Sequence, residues 1–411
     1  MRNLIDKLKS ARMLNNVKED VSLKYEIADF LKDTEESFLF ENIKDFKNFR
    51  LAANLITSKK HLALALNCKE NEIIKKINKA MDNPRKVNVV DGAPCMEVES
   101  SFDKIPIPTY FKTDGGPYIT SGVVISKDPV HGQNLSFHRM MKRGDHLVIR
   151  LVQRHTWEYY KKSGKSLDVV ICIGVEPAVL LAGAINTGID VDELEIAGAL
   201  KGKPIDAVKF GDMLVPANCE IVIKGRITPD LEDEGPFVDI TRTLDFVRKQ
   251  PKVAVEKVMH RKDPVFHALL PGGFEHGAIW KASTEAVIYK KVNEVCECRD
   301  VSLTFGGCSR LHGVVQIKKK GTDDGKKAID AAFEAHKSMK HVFVVDDDID
   351  IHDFGQVEWA LATRFQAERD LTVRRNEKGS SLDPSSDDGV MSKVGFDCTI
   401  KGDKKKFVKV F

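Results

Sequence analysis

The chain has no run of about 18 apolar residues, the least a membrane-crossing helix needs, so no membrane span is expected. Its opening stretch MRNLIDKLKSARML lacks an uninterrupted apolar segment and is not expected to serve as a secretion signal. Neither sign of charge is in excess: 64 Lys and Arg stand against 61 Asp and Glu, leaving +3. Without a concentrated basic field, neither nucleic acid nor a membrane surface is expected as the main partner. The Lys-rich stretches 318–327 and 401–409 also contain Asp and read as solvated surface. No C-x-x-C pair occurs among the eight cysteines, and Cys296-Glu297-Cys298 alone is a poor zinc half-site. Cys172 and Cys219 lie in apolar, strand-like runs and read as core fillers. Scattered thiols of this kind suit a reducing compartment, which predicts a cytoplasmic protein. Internal repeats and low-complexity tracts are also missing.

What is present is ordinary in bulk and distinctive in texture. A chain of 411 residues is too long for one simple core, so two or three domains are expected. Over residues 1–100, apolar residues recur at helical spacing (Leu4, Ile5, Leu8; then Tyr25, Ile27, Phe30, Leu31). A short strand follows at 37–42, then helices over 57–66 and 70–81, which reads as a small α/β unit. From about residue 103 the breakers Ile105-Pro106-Ile107-Pro108 and Gly115-Gly116-Pro117 introduce many short strands. Strands are predicted at 118–126, 135–141, 146–153, 168–175, 220–227, 252–259 and 264–270, with helices near 176–184 and 192–199. That density of strands suggests a barrel or curled sheet with a site at its mouth, over residues 101–295. Residues 296–411 return to a β-α-β-α series: strand 313–320, helix 325–337, strand 341–348, helix 355–364. The stretch 379–392, rich in Ser and Asp, reads as a loop.

One peptide raises a chemical question. Residues 232–239 are EDEGPFVD, four acids around a Gly-Pro turn. They form either a solvated loop or a device that holds Glu234 and Asp239 together to move a proton. The polar run GQNLSFHRMMKR (132–143) raises another. Asn134 and Arg139 are five apart, so an unbroken strand would point them to opposite faces, and only a bulge or twist would aim both at one ligand. His155 reads equally as the first residue of a helix, Glu193 as a first-turn acid favoured by the helix dipole, and Lys393 as surface charge. Taken singly, each of these structural readings outweighs its functional rival.

Together they form an ordered series: PYITSG, NLSFHR, a His twenty-one residues past the Asn, DELEIAGALKG, VPANCEIVIKG, EGPFVD, FVVDDDID and SKVGFD. In this order, and with the opening EIADFLKDTEESFLFENIK, the chain resembles the UbiD-like decarboxylases, which use prenylated FMN. The resemblance runs over nearly the whole length. It implies an α/β (α+β) architecture in three parts: a small N-terminal α/β region, a central split β-barrel that binds the flavin, and a C-terminal α/β domain through which related proteins form dimers or hexamers.

The resemblance also assigns roles. Asn134, His155 and Glu193 match ligands of a divalent ion, manganese or alternatively magnesium, that clamps the cofactor phosphate, with potassium as the monovalent ion expected to join it. Such a largely hard donor set suits manganese. Lys393 matches a phosphate-neutralising lysine, and Thr120, Ser121, Phe137, His138 and Arg139 match positions around the flavin. Arg139, Glu234 and Asp239 match the Glu-Arg-acid triad of the active centre. Arg139 is expected to pair with the substrate carboxylate and to hold Glu234; Glu234 is favoured as proton donor with Asp239 tuning it, the reverse remaining open. A flavin prenyltransferase is the implied cofactor supplier.

Two departures bear on the substrate: Val238 replaces the glycine usual before the second acid, and TRTL (241–244) replaces an aromatic-glycine run. PGGFEHG (271–277) and EGPFVDITRT resemble the archaeal branch of the family. Some members of that branch decarboxylate trans-anhydromevalonate 5-phosphate to isopentenyl phosphate in the modified mevalonate pathway. A phosphate anchor is then needed, for which His138, Lys142, Arg143, His267, His276 and Lys281 offer suitable groups. The alternatives are a 4-hydroxy-3-polyprenylbenzoate or other aromatic acid, and a flavin-binding module without decarboxylase activity.

Overall fold

The fold is that of a computed structural model, which describes residues 1–407 and divides into two compact units, Met1–Ile279 and Trp280–Phe411. Residues 408 and 409 of the second Lys-rich stretch lie outside the described residues. Among the described residues no helix is long and apolar enough to cross a membrane.

The first unit is built around a nine-stranded sheet. Its order is Tyr118–Ile119, Met140–Arg143, His146–Ile149, Arg248–His260, Ile221–Glu234, Leu167–Ile173, Val123–Asp128, Gly132–Phe137, with Val98–Ser100 added to Arg248–His260. The chain leaves the last of these strands at Phe137 and enters the second at Met140. Two residues cover the gap, a reach of at most ~11 Å between Cα atoms. The two ends of the sheet therefore curl toward each other, and His138 and Arg139 bridge the seam of a split barrel. The middle strands are buried on both faces, as the unbroken apolar run Val169–Ile173 requires. Ile221–Glu234 and Arg248–His260 form the longest ladder, and its register shifts after Lys224 and after Ile227, bending the pair.

A four-stranded sheet packs beside the barrel in the order Leu14–Val21, Ser37–Ile43, Arg50–Ala53, Val265–Ala268. Its last strand comes from far along the chain. One core cluster joins Phe38, Phe40 and Leu51 of this sheet to Ile149, Ile171 and Val253 of the barrel. The first hundred residues thus bury their apolar faces against later sequence.

The second unit is a five-stranded sheet, order Glu297–Leu303, His312–Lys318, His341–Asp346, Val390–Asp397, Leu371–Lys378. Helix Asp324–Ala335 makes the crossover between two parallel strands, as parallel pairing demands. Neighbouring residues serve opposite faces: Val315 and Val344 pack with Phe333 of that helix, whereas Val314 and Phe343 pack with Val357 of helix Phe354–Arg364.

Candidate active site

Arg139 sits at the barrel seam, where the predicted strand 135–141 is broken into Gly132–Phe137 and Met140–Arg143. The break supplies the change of direction that an unbroken strand would deny. Its guanidinium is ringed by acids. Nε donates to Glu234 Oε1 and Nη2 to Glu234 Oε2, each at 2.9 Å; Nη2 also donates to Asp245 Oδ2 at 2.7 Å; Nη1 donates to Asp239. Four of its five N–H donors are so engaged. Its Cζ lies 4.5 Å from the centre of the Phe237 ring, which in turn packs on Tyr118.

Glu234 ends the fourteen-residue strand Ile221–Glu234, so its backbone is held by a ladder rather than by a loop. It is fully buried and also accepts from the Tyr118 hydroxyl at 3.0 Å. Gly235 follows at φ +104°, where an L side chain is strained, and Pro236 stands in a cis bond. The turn brings Phe237–Val238 back to pair with Leu244–Asp245, so Asp239 and Asp245 reach the same guanidinium. Glu232 and Asp233 are partly exposed and pair with Lys252 and Lys249. EDEGPFVD therefore divides as its chemistry suggests: two acids face solvent and two face one arginine. Asp245 is the acid that sequence reading missed. Burial opposes its charge, but Arg248 at 2.5 Å and Arg139 outweigh that and hold its carboxyl below the usual range.

A second polar group lies along the strand that leads to the seam. Asn134 Nδ2 is 3.1 and 3.3 Å from the two Glu193 oxygens and 3.4 Å from His155 Nδ1. His155 opens helix His155–Lys162 and Glu193 opens helix Glu193–Lys201, so helix starts place both. Glu193 also accepts from Leu135 N–H at 2.8 Å and Thr187 Oγ1 at 2.7 Å, yet burial pushes its carboxyl up to about 7. Among the described residues no cation pairs with it. Burial, with Arg154 next, pushes His155 down, which keeps the imidazole neutral and able to ligate. A divalent ion fits this set: it would neutralise Glu193 and accept the His155 lone pair. Asn134 would add its amide oxygen to the set; Oδ1 accepts from the hydroxyls of Ser136 and Thr156 at 3.2 and 3.0 Å. Among the described residues, no group of three His, Cys, Asp or Glu side chains is placed to hold a metal; this set depends on the amide.

His138 joins the two groups. Its ring Nδ1 lies 3.1 Å from Arg150 O, and Nε2 lies 3.1 Å from Ser136 Oγ and 3.4 Å from Thr156 Oγ1. Burial pushes it down to about 4, so the ring is neutral, donating at Nδ1 and accepting at Nε2. Thr120 and Ser121 lie between strands Tyr118–Ile119 and Val123–Asp128, where Thr120 meets Tyr110 OH at 3.0 Å and Ser121 donates to His267 O. Phe137 ends its strand, half-buried. Lys393 belongs to the second unit, buried in strand Val390–Asp397 with its ammonium donating to Lys337 O at 2.7 Å. Of the other anchor candidates, His267 is buried against Glu275 at 3.1 Å, His276 accepts from Gly272 N–H, and Lys142 lies over the Phe102 ring.

Comparison with known proteins agrees with this architecture. Three family models match, described as the N-terminal domain (residues 5–81), the Rift-related domain (87–274) and the C-terminal domain (277–398) of 3-octaprenyl-4-hydroxybenzoate carboxy-lyase. An anhydromevalonate phosphate decarboxylase of Methanocaldococcus jannaschii is 42% identical, with 97% of this chain and 96% of that protein covered. Its namesake from Methanosarcina mazei is 41% identical, covering 97% and 95%. Among solved structures, the UbiD-class enzyme HmfF from Pelotomaculum thermopropionicum in complex with FMN superposes with a TM-score of 0.96 at 37% identity, covering 100% of this chain and 96% of its own. A split barrel with an arginine among acids at its seam, in a chain that these models and proteins match nearly end to end, leaves one assignment: this chain is a carboxy-lyase and belongs to the UbiD family.

Proposed function

We propose that this carboxy-lyase removes CO₂ from trans-anhydromevalonate 5-phosphate and gives isopentenyl phosphate. The observation that carries the reading is Arg139 shared by three acids beside a second cluster suited to a metal and phosphate, in a chain about 40% identical throughout to anhydromevalonate phosphate decarboxylases. Bound prenylated FMN, the cofactor named for a dimeric form of HmfF, would supply the sink for the electron pair left when CO₂ departs.

The protein's own groups do the rest. Asn134, His155 and Glu193 would hold manganese, or magnesium, against the cofactor phosphate, with potassium as the accompanying monovalent ion. Thr120, Ser121, Phe137 and His138 line the flavin's place, and Lys393 is the further cation proposed for its phosphate. Glu234 gives the proton that completes the new C–H bond; buried beneath Arg139 and Tyr118, it is shielded from water. Asp239, more exposed on the same guanidinium, recharges it. Arg139 holds both acids in register, and with one N–H donor left over it grips the substrate carboxylate only lightly. That restraint is useful, since the carboxylate must leave as neutral CO₂ and tight ground-state pairing would raise the barrier. We further propose a homo-oligomer, at least a dimer, supplied by a flavin prenyltransferase in the cytoplasm, where eight free thiols are stable.

The test is to purify the protein with prenylated flavin and offer a panel of unsaturated acids. Conversion of the phosphorylated acid and not of aromatic acids is expected; conversion of aromatic acids alone would overturn the proposal.

A further inference from the structure

The ring of acids around Arg139 leaves a second arginine unexplained. Strands Met140–Arg143 and His146–Ile149 pair antiparallel, with Ile149 opposite Met140. One step further, Arg150 stands opposite Arg139, and its N–H donates to Arg139 O at 3.0 Å. Directly opposed residues project to the same face, so the two side chains share one side of the ladder and each guanidinium feels the charge of the other. Like charges in that arrangement repel, and nearby Arg248 adds to the repulsion. Arg139 is neutralised by Glu234, Asp239 and Asp245, and Arg248 by Asp245. Arg150 is not: among the described residues no carboxylate lies within ion-pair distance of it. It is half-buried, and its backbone carbonyl is tied to His138, so its position is built rather than loose. Burial, with Arg248 and Arg139 next, pushes its guanidinium down from the ordinary arginine value, and the more distant Asp245 and Glu234 offset that only in part.

We infer that Arg150 is the anchor for the non-reacting phosphate of the substrate, the charge that decides which unsaturated acid is accepted. The inference rests on the phosphorylated-acid reading and makes it specific. The substrate carries two anionic groups with different needs. Its carboxylate becomes neutral CO₂, so a strong cation there would be wasted on the ground state. Its phosphate keeps its charge throughout, and a planar guanidinium can meet it with paired N–H donors. Two arginines of different kind meet just past the ends of these strands: Arg139, saturated by acids, for the group that leaves, and Arg150, without an ion-paired acid, for the group that stays.

Arg150→Gln in the flavin-loaded enzyme tests this. Two substrates are compared: the phosphorylated acid and the same unsaturated acid with a free hydroxyl in place of phosphate. Expected are a fall of roughly 10- to 100-fold in the ratio of kcat/KM between them, carried mainly by KM, and weaker inhibition by inorganic phosphate. Flavin absorbance per protein should stay at the wild-type level. An unchanged ratio overturns the inference, and so does a loss of bound flavin, which would make Arg150 a cofactor residue. Arg150→Lys, which keeps the charge and loses the fork, should fall between; a lysine variant no better than glutamine also counts against a phosphate contact. If the wild-type enzyme itself treats the two acids alike, the phosphorylated-acid reading has failed, which is distinguishable because it shows before any variant is made.

Discussion

Glu234 and Arg248 are register partners at the end of the longest ladder in the barrel, yet each bonds elsewhere: Glu234 to Arg139, Arg248 to Asp245. The two ion pairs are joined because Asp245 also accepts from Arg139. Two arginines thus hang on one nearly buried carboxylate.

Asp245→Asn should therefore unsettle both. Removing that charge takes from Arg248 its acid and from Arg139 one of three, at about 1–3 kcal/mol. Urea unfolding should show a loss of that order, and kcat should fall even where the variant remains folded, because Arg139 then leans wholly on Glu234 and Asp239. A variant with wild-type stability and turnover would show that Asp245 is incidental to the site.

His138 sets a pH dependence. Its folded value of about 4 lies below the ordinary 6.5, so between those values the unfolded chain binds more protons than the folded one. Its contribution is complete above pH 6.5 and is lost as pH falls toward 4, on the order of 3 kcal/mol in all. Unfolding free energies measured from pH 7 to 4 should drop less steeply in His138→Gln than in wild type. Parallel curves would mean that the imidazole charges without penalty.

Gly115 carries a steric prediction. A Cβ placed there would run into the carbonyl oxygen of Gly235, and its own N–H donates to Pro236 O at 2.8 Å. The breaker Gly115-Gly116-Pro117 is the floor on which the catalytic turn rests. Gly115→Ala should push that turn away and cost about 1–3 kcal/mol, with turnover falling more than flavin binding. Equal stability and activity in the alanine variant would show that the turn can yield freely.

These positions also mark what the sequence disclosed. The barrel's inner strands were legible because double burial writes continuous β-branched runs, as in Val169–Ile173. Their extents were not. The strands predicted at 220–227 and 252–259 continue to Glu234 and back to Arg248, through polar residues such as Asp233 and Lys249 that stand opposite each other in the ladder and carry no apolar period. Strands Leu14–Val21 and Leu371–Lys378 were missed for the same reason, being mostly exposed. Helix Phe274–Asn293 was missed because its apolar residues form no clean stripe. In the site, the structure brings Arg139, Glu234 and Asp239 into contact, and the roles the resemblance gives them stay part of the proposal. Asp245 carried no signal, since an acid in a turn-like TRTLDF stretch looks like any solvated loop residue. Arg150 was hidden as well: only strand register reveals that it stands opposite Arg139.

The metal set offers the sharpest test of the second cluster. Asn134 lies within hydrogen-bond reach of both Glu193 oxygens, so its amide and that carboxylate can address one ion. Manganese bound to the folded state alone would stabilise it by about 2.7 kcal/mol at one hundred times the dissociation constant. Asn134→Ala should lose most of that gain. Asn134→Asp should behave in the opposite way: without metal, a second carboxylate beside buried Glu193 lowers the melting temperature, and with manganese the extra charge enlarges the gain. Melting curves of the three proteins with and without manganese, before any flavin is supplied, separate a ligand from a bystander. If Asn134→Ala gains as much as wild type, Asn134 coordinates nothing, and the hydrogen bonds among Asn134, His155 and Glu193 serve only to tie a strand to two helix starts.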